Sequence, residues 1–291
     1  MDHLFTVNQT NWNYVPDLDE EKRILSAFEK GKVIYFPSLA FGLLPHELAF
    51  LTPQALDGSS KNISFDLSTH TLKGTSYQEN EKIALAEMMN RFALQSQNLM
   101  GHLFPHYMED LVIKRTSFRP AEISARSSSY RKDDTRLHVD AFPSTPNQGR
   151  RIVRFFSNIN PTQGRVWRLG EPFEDVARYF LPKTRPPFPL SSWFLKSFGV
   201  TRTKRTSYDH YMLRLHNAMK ADLAYQRSVP QETYVFPPYS SWIVMTDSVS
   251  HAAMAGQHVL EQTFELPVEA MYDPSLSPLK ILERLKGRPL H

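Results

Sequence analysis

The chain of 291 residues has no cysteine. That absence excludes disulfides, thiolate metal sites, iron–sulfur clusters and a cysteine nucleophile. It also has no run of eighteen apolar residues, so no segment reads as a membrane-spanning helix. The opening stretch, MDHLFTVNQTNWNYVPDLDEEKR, lacks the basic segment and apolar run of a secretory signal, and the expected location is the cytoplasm. A large excess of one charge is missing too, with 34 basic against 30 acidic residues and a formal charge of +4. The small excess is uneven, because cations gather between residues 178 and 214. That stretch fits either an anionic partner or a solvated basic face. Aromatics are plentiful at 12%, with 19 Phe and 12 Tyr, beside 41% apolar and 22% charged residues. This is the composition of a soluble globular protein with a large β-rich core.

Local patterns divide the chain by texture. Asp19 to Lys30 reads as a short helix capped by Asp17 or Asp19, with Ile24, Leu25 and Phe28 on its apolar face and Gly31 closing it. Lys32 to Phe36 follows as a strand ended by Pro37. Residues 41–60 are rich in turn formers and suggest no regular element. Residues 76–96 have one apolar helical face, extendable to Leu99, and Tyr107 to Val112 suggests a second short helix. From about residue 121, short β-forming runs alternate with Pro, Gly and Asn turns: Thr135–Ala141, Arg151–Ile159, Arg165–Leu169, Thr233–Phe236, Ser241–Thr246 and His258–Leu266. That spacing predicts an antiparallel sandwich or barrel. Helical patterns over Phe173–Phe180 and Tyr208–Gln226 interrupt it. The expected organisation is one domain, 1–291. An α-rich part, 1–120, packs on a jelly-roll core, 121–270, which carries a helical insertion, 173–226. A small C-terminal helix falls in 271–291.

The chemistry concentrates in TRLHVDAFP. Side chains two apart on a strand share a face, so His138 and Asp140 point one way and Val139 the other. One imidazole and one carboxylate suit Fe(II) or Mn(II) better than a closed zinc site. Alone, such a tripeptide is a weak signal. A second imidazole, His251, follows the strand SSWIVMTD, and a jelly roll brings such distant strand ends together. His138, Asp140 and His251 would then form a facial triad, leaving positions open for a bidentate keto acid and dioxygen. The bland alternative makes His251 a loop histidine and Asp247 a turn residue.

A 2-oxoglutarate cosubstrate needs a cation for its far carboxylate. The strand RIVRFFSNINP supplies Arg151 and Arg154 on opposite faces. Arg154 is favoured because Asn158 and Asn160 share its face. The bland alternative is a strand with one solvated side. Arg126, Arg136 and Arg165 are further candidates, and Asn158, Arg151 and Arg126 complete the expected cosubstrate set.

The stretches TRLHVDAFPSTPNQGRRIVRFFSNINP and SSWIVMTDSVSHAAMAGQHVLEQTF resemble the Fe(II)/2-oxoglutarate dioxygenase superfamily. More narrowly, they resemble the 3-deoxy-D-manno-oct-2-ulosonic acid (Kdo) 3-hydroxylases of Gram-negative bacteria, with a likeness that extends to the tail MYDPSLSPLKILERLKG. The resemblance implies a mainly β fold with added helices, built on a double-stranded β-helix (jelly-roll) core of the cupin/2-oxoglutarate dioxygenase type. It implies iron ligation by His138, Asp140 and His251. It also implies Fe(II), 2-oxoglutarate and O2 as cofactors, with ascorbate in vitro. The implied reaction hydroxylates C3 of the terminal Kdo of Kdo2-lipid A to give Ko, releasing succinate and CO2. One departure stands out. Many superfamily members carry a cation about ten residues after the distal histidine, where this chain has Glu261 and Gln262. An inward carboxylate would repel the cosubstrate, so either the anion partner sits on an earlier strand or the cosubstrate is not 2-oxoglutarate; the earlier strand is favoured, hence Arg154.

Three rival readings share these residues. A dioxygenase of proteins or nucleobases would stack bases on Trp193, Phe194, Tyr208 and Tyr211 beside Lys196, although no nucleic-acid module is present and no nucleic-acid partner is expected. In a non-enzymatic jelly-roll binding module, His138 and His251 would not meet. A zinc hydrolase would use the same ligands on water. For the glycolipid reading, the substrate is bilayer-anchored, so the expected placement is peripheral to the inner face of the inner membrane. Contact with the anionic surface would come from SPLKILERLKG and from Arg202, Lys204 and Arg205.

Overall fold

The computed structural model describes residues 2–123, 129–187 and 204–291. Its frame is two facing sheets. The larger has eight strands in the order β1-β2-β9-β6-β11-β5-β3-β4, and the smaller has three, β10-β7-β8. The strands are β1 (Leu4–Thr6), β2 (Val33–Phe36), β3 (Ile63–Asp66), β4 (Thr71–Lys73), β5 (Val112–Arg119), β6 (Arg151–Asn158), β7 (Arg165–Pro172), β8 (Glu232–Phe236), β9 (Ser241–Met245), β10 (Val249–Ala255) and β11 (Val259–Leu266). Between the sheets lies an apolar layer to which Phe156, Trp242 and Val259 contribute from one side and Trp167, Leu169 and Phe236 from the other. Stacking of Phe236 on Trp242, with ring centroids 4.1 Å apart, joins the layers.

The helices cover what the sheets leave bare. In α1 (Leu18–Glu29) the Asp17 side chain accepts the amides of Asp19 and Glu20, as expected of a cap. Gly31, at φ +85°, takes the left-handed turn into β2. The second helix, α2 (Glu79–Leu103), runs longer than its apolar stripe suggests and continues through Gly101. Its Leu85, Met88, Met89 and Phe92 pack on Phe118 and Leu260 of the large sheet.

Two expectations about the N-terminal part need correction. Residues 107–112 do not form a helix; a 3-10 turn at Pro105–Tyr107 leads into β5. The segment before residue 121 is also more than a helical layer, because it supplies five strands of the large sheet. The physical reason lies in β5. Its polar face carries Arg115, Ser117 and Arg119, so it lacks an apolar alternation, and its pairing partners lie far along the chain on β11 and β3.

The insertion folds as expected in outline. It comprises α3 (Phe173–Phe180), α4 (Ser207–Ala221) and α5 (Leu223–Ser228). The single helix expected over Tyr208–Gln226 is split at Asp222, whose side chain caps α5 by accepting the Tyr225 amide. Trp193, Phe194, Lys196 and Arg202 lie outside the described residues. The last helix, α6 (Pro278–Lys286), buries Leu279, Ile281 and Leu282 against the insertion. Its apolar face is therefore not free to lie on a bilayer. Arg284 pairs with Glu174 at 2.9 Å and Lys280 with Glu283 at 2.9 Å. No helix among the described residues is long and apolar enough to cross a membrane.

Arg151 and Asp247 meet where both side chains are fully buried. Arg151 Nε donates to Asp247 Oδ2 at 2.7 Å and Nη2 to Oδ1 at 3.1 Å, while Nη2 also donates to Ser248 Oγ at 2.8 Å. The fork closes the β9–β10 turn from which β10 carries His251. Asp247→Ala leaves a buried guanidinium unpaired and should cost about 3–5 kcal/mol in urea denaturation. A loss of under about 1 kcal/mol, the range of exposed pairs, would contradict this account.

Candidate metal centre

The segment expected as a strand over Thr135–Ala141 forms only one bridge, His138 opposite His251. His138 N donates to His251 O at 3.0 Å and His251 N to His138 O at 2.9 Å, and Asp140 N donates to Thr246 O at 2.8 Å. A side chain replaces the missing ladder on the other edge. Gln226 accepts the Leu137 amide at 2.8 Å and donates to the Leu137 carbonyl at 2.9 Å. The extended backbone still sorts side chains as expected, with Leu137 and Val139 packed into the helical insertion. His138 and Asp140 line a cavity of about 230 Å³ between the sheets. His251 is not on a loop after β9 but within β10, where it lines the same cavity.

One ligand-capable atom from each of His138, Asp140 and His251 lies within 4.8 Å of the others. Both imidazoles are set in one tautomer. His138 Nδ1 donates to Arg136 O and His251 Nδ1 to Val249 O, each at 2.8 Å. A carbonyl can only accept, so each Nε2 keeps its lone pair for a metal. Burial and the neighbouring His251 push the His138 pKa down to about 3, and burial lowers that of His251. Neutral imidazoles are the ligating form. The Trp167 ring stacks on His251 with centroids 5.1 Å apart and restrains its tilt. Two nitrogens and one carboxylate, with the rest of the cavity open, fit a divalent ion of the Fe(II) type.

The arginines fall in places that strand alternation alone does not settle. Arg154 faces the cavity, as expected, but it arrives paired. Its Nη2 lies 2.9 Å from Asp140 Oδ2, and its Nη1 donates to Glu261. Glu261 is buried and also accepts from Arg119, at 2.6 Å to Nη2. The inward carboxylate on β11 is thus neutralised by two cations, and these hold its pKa down against desolvation. Arg154 likewise holds Asp140 well below the usual carboxylate range, again against desolvation. Arg151, on the opposite face of β6, belongs to the Asp247 pair and does not line the cavity. Asn158 does not reach the cavity either. Its Nδ2 donates to the carbonyls of Gln163, Phe236 and Pro237, tying the β6–β7 turn to the end of β8. Arg126 lies outside the described residues.

Three cavity residues, Arg119, His216 and Lys220, were not singled out in the sequence, and a fourth, Arg165, was named only among the further cations. Arg119 ends the unexpected β5. Arg165, on the inner face of β7, is buried and donates to Gly256 O at 2.7 Å, with no carboxylate in direct contact among the described residues. Its Nε has no partner, and burial, with Arg119 nearby, pushes its pKa down to about 9. His216 and Lys220, one turn apart on α4 and flanking its apolar stripe, enter the cavity. The His216 ring meets His138 edge-on at 5.3 Å between centroids.

A family model described as 3-deoxy-D-manno-oct-2-ulosonic acid (Kdo) hydroxylase matches residues 11–289. The chain belongs to the Kdo hydroxylase family. Crystal structures of the Kdo hydroxylase KdoO, a non-heme Fe(II) alphaketoglutarate-dependent dioxygenase, are similar throughout. The complex with alphaketoglutarate and Fe(III) is 45% identical, with a TM-score of 0.95, and the comparison covers 99% of this chain and 97% of that one. The complex with cobalt(II) has a TM-score of 0.97 and the apo form 0.96, at the same identity and coverage. No curated protein matches the chain in sequence. The two-sheet core is the double-stranded β-helix expected of the family.

The Arg154–Asp140 contact has a testable consequence. Arg154 occupies one carboxylate oxygen and leaves Oδ1, 3.6 Å from His138 Nε2, to face the metal position. Arg154→Lys keeps the charge but loses the planar fork. Co(II) followed by its d–d absorption should bind this variant about tenfold more weakly. Unchanged metal affinity with weakened 2-oxoglutarate binding would instead give Arg154 the cosubstrate role.

Proposed function

We propose that the chain is an Fe(II)- and 2-oxoglutarate-dependent dioxygenase that hydroxylates C3 of the terminal Kdo of Kdo2-lipid A. The observation that carries this reading is the pair of free Nε2 atoms beside Asp140, opening onto a cavity that holds an inward arginine with no acid on it. Bound iron and 2-oxoglutarate supply the chemistry: O2 converts the keto acid to succinate and CO2, and one oxygen atom replaces a C–H hydrogen as hydroxyl.

The chain's own residues bind and orient. His138, Asp140 and His251 hold the metal, and Arg154 fixes the Asp140 carboxylate. Arg165 anchors the far carboxylate of 2-oxoglutarate. Arg154 is a poorer anchor, since both its terminal nitrogens already meet carboxylates. Arg165 is desolvated without an acid partner in direct contact, and a bound carboxylate would restore the compensation it lacks. The aromatic rings of Phe156 and Trp167, packed edge to face in the cavity wall, would limit water there.

The proposed substrate is bilayer-anchored, so its sugar end is met from the aqueous side. The contact would be peripheral and electrostatic, on the cytoplasmic face, and carried by the basic surface around Lys204 and Arg205 rather than by the apolar side of α6. Binding to anionic vesicles should then weaken with salt. Equal binding to neutral vesicles would count against it.

The reaction is tested by incubating the protein with Kdo2-lipid A, Fe(II), ascorbate and 2-oxoglutarate under air. The product should gain one oxygen, read by mass spectrometry, in step with succinate. No gain in the glycolipid while 2-oxoglutarate is consumed would move the activity to another substrate. In the same assay Arg165→Ala should raise the KM for 2-oxoglutarate roughly thirtyfold, the effect of truncating one partner of a desolvated charge pair. An unchanged KM would remove Arg165 from that role.

A further inference from the structure

A second and larger cavity, of about 840 Å³, adjoins the metal cavity, and Arg119 and Arg154 line both. It forms because the large sheet extends past β11 through β5 to β3 and β4, while the three-stranded sheet does not follow it. The floor is therefore the bare inner face of β5 and β11. The walls come from the turn after β3 and from the segment just beyond Asp140, which supplies Phe142, Ser144 and Thr145.

The lining has a definite chemistry. Asn62, Ser68, Ser117, Ser144, Thr145 and Thr263 present neutral donors and acceptors, beside the single aromatic ring of Phe142. Leu67 and Ile113 join Phe142 as its apolar side chains, a small minority beside the polar and charged ones, so the cleft is not lined for an acyl chain or a stack of bases. It suits a polyhydroxylated ligand, whose hydroxyls both donate and accept.

The charges add a second requirement. Lys114 is held by Glu265 at 3.1 Å, and Arg119 and Arg154 share Glu261. Asp66 accepts from the amide and hydroxyl of Ser68, at 3.1 and 2.7 Å. Arg115, an exposed side chain lining the cleft, has no ion pair or hydrogen bond among the described residues. A guanidinium facing a polar cleft with its fork unoccupied matches a planar carboxylate.

We infer that this cleft is a sugar-acid subsite, in which Arg115 binds a carboxylate of the Kdo disaccharide while the neutral side chains take its hydroxyls. The inference rests on the glycolipid reading for the identity of the sugar. Its geometry is independent of that reading. A phosphate of the glycolipid could supply the same charge, and the test separates the two anions.

The probe is the deacylated Kdo2 glycan, prepared with and without the lipid A phosphates and titrated calorimetrically into the intact protein. Wild type should bind both forms. Arg115→Ala should weaken both about tenfold, the loss of one charge-assisted contact, with Arg115→Lys between them. Ser117→Val, which puts methyl groups in place of a hydroxyl on the floor, should also weaken binding. Equal affinity of wild type and Arg115→Ala for the glycan overturns the proposal. So does an Arg115 effect confined to the phosphorylated form, which would make the anion a phosphate. Glycan binding that depends on Arg115 in a protein that does not hydroxylate Kdo2-lipid A would sink the proposed reaction and leave the subsite standing.

Discussion

Two reciprocal backbone hydrogen bonds between His138 and His251 are the constraint on which the site depends. They join positions 113 residues apart, as numbered, and form the only bridge of that edge to the small sheet among the described residues. Opposed residues on antiparallel strands send their side chains to the same face, so this one pair delivers two imidazoles to one point. Everything around it keeps the pair in register. The Arg151–Asp247 fork holds the turn before β10, and Gln226 satisfies the far edge of the HxD segment through its amide. Leu137 and Val139 anchor that segment in the insertion. The insertion is thus part of the site's support and contributes His216 and Lys220 to its wall.

Most of the triad was legible because its signal is local. Alternation in LHVD fixes which side chains share a face, whether or not a full ladder forms, and backbone extension alone satisfies it. The late strands were legible for the same reason, since β-formers alternate with turn residues from 151 onward. What stayed hidden required pairing over distance. The run VIKRTSFR mixes cations with β-branched residues and reads poorly as a strand until β11 supplies one neighbour and β3 the other. With β5 unseen, Arg119 had no address. The insertion helix hid residues differently: its apolar stripe explained its packing so well that the polar pair His216 and Lys220, spaced one turn apart, drew no weight.

The arginines show a further limit. Strand alternation places Arg154 on the inner face, and that placement holds. Alternation says nothing about whether a cation arrives free or already compensated, because the compensating groups come from other strands. Glu261 reaches Arg154 from the neighbouring strand β11 and Asp140 from the extended segment beside β10, whereas Arg165 meets only a backbone carbonyl. Among buried cations it is the uncompensated one that retains capacity for a ligand anion.

Glu261 is the residue that makes this arrangement consistent. A carboxylate facing into an anion-binding cavity would be unfavourable if it stood alone. Here it is buried between Arg119 and Arg154 and behaves as a counter-ion fixed in the wall. Without it, two adjacent guanidiniums would face each other across a medium of low dielectric, where like charges interact most strongly. With it, the alternating row Asp140, Arg154, Glu261, Arg119 runs from the metal position along the boundary between the two cavities. Each member is held by its neighbours, so the carboxylate at the metal end is oriented by charges that begin in the adjoining cleft. The cation expected on the final strand from the resemblance to many superfamily members is therefore not simply missing. Its position is held by a carboxylate that organises two arginines, and under the proposed function the duty of meeting an anion falls to Arg165 on the facing sheet.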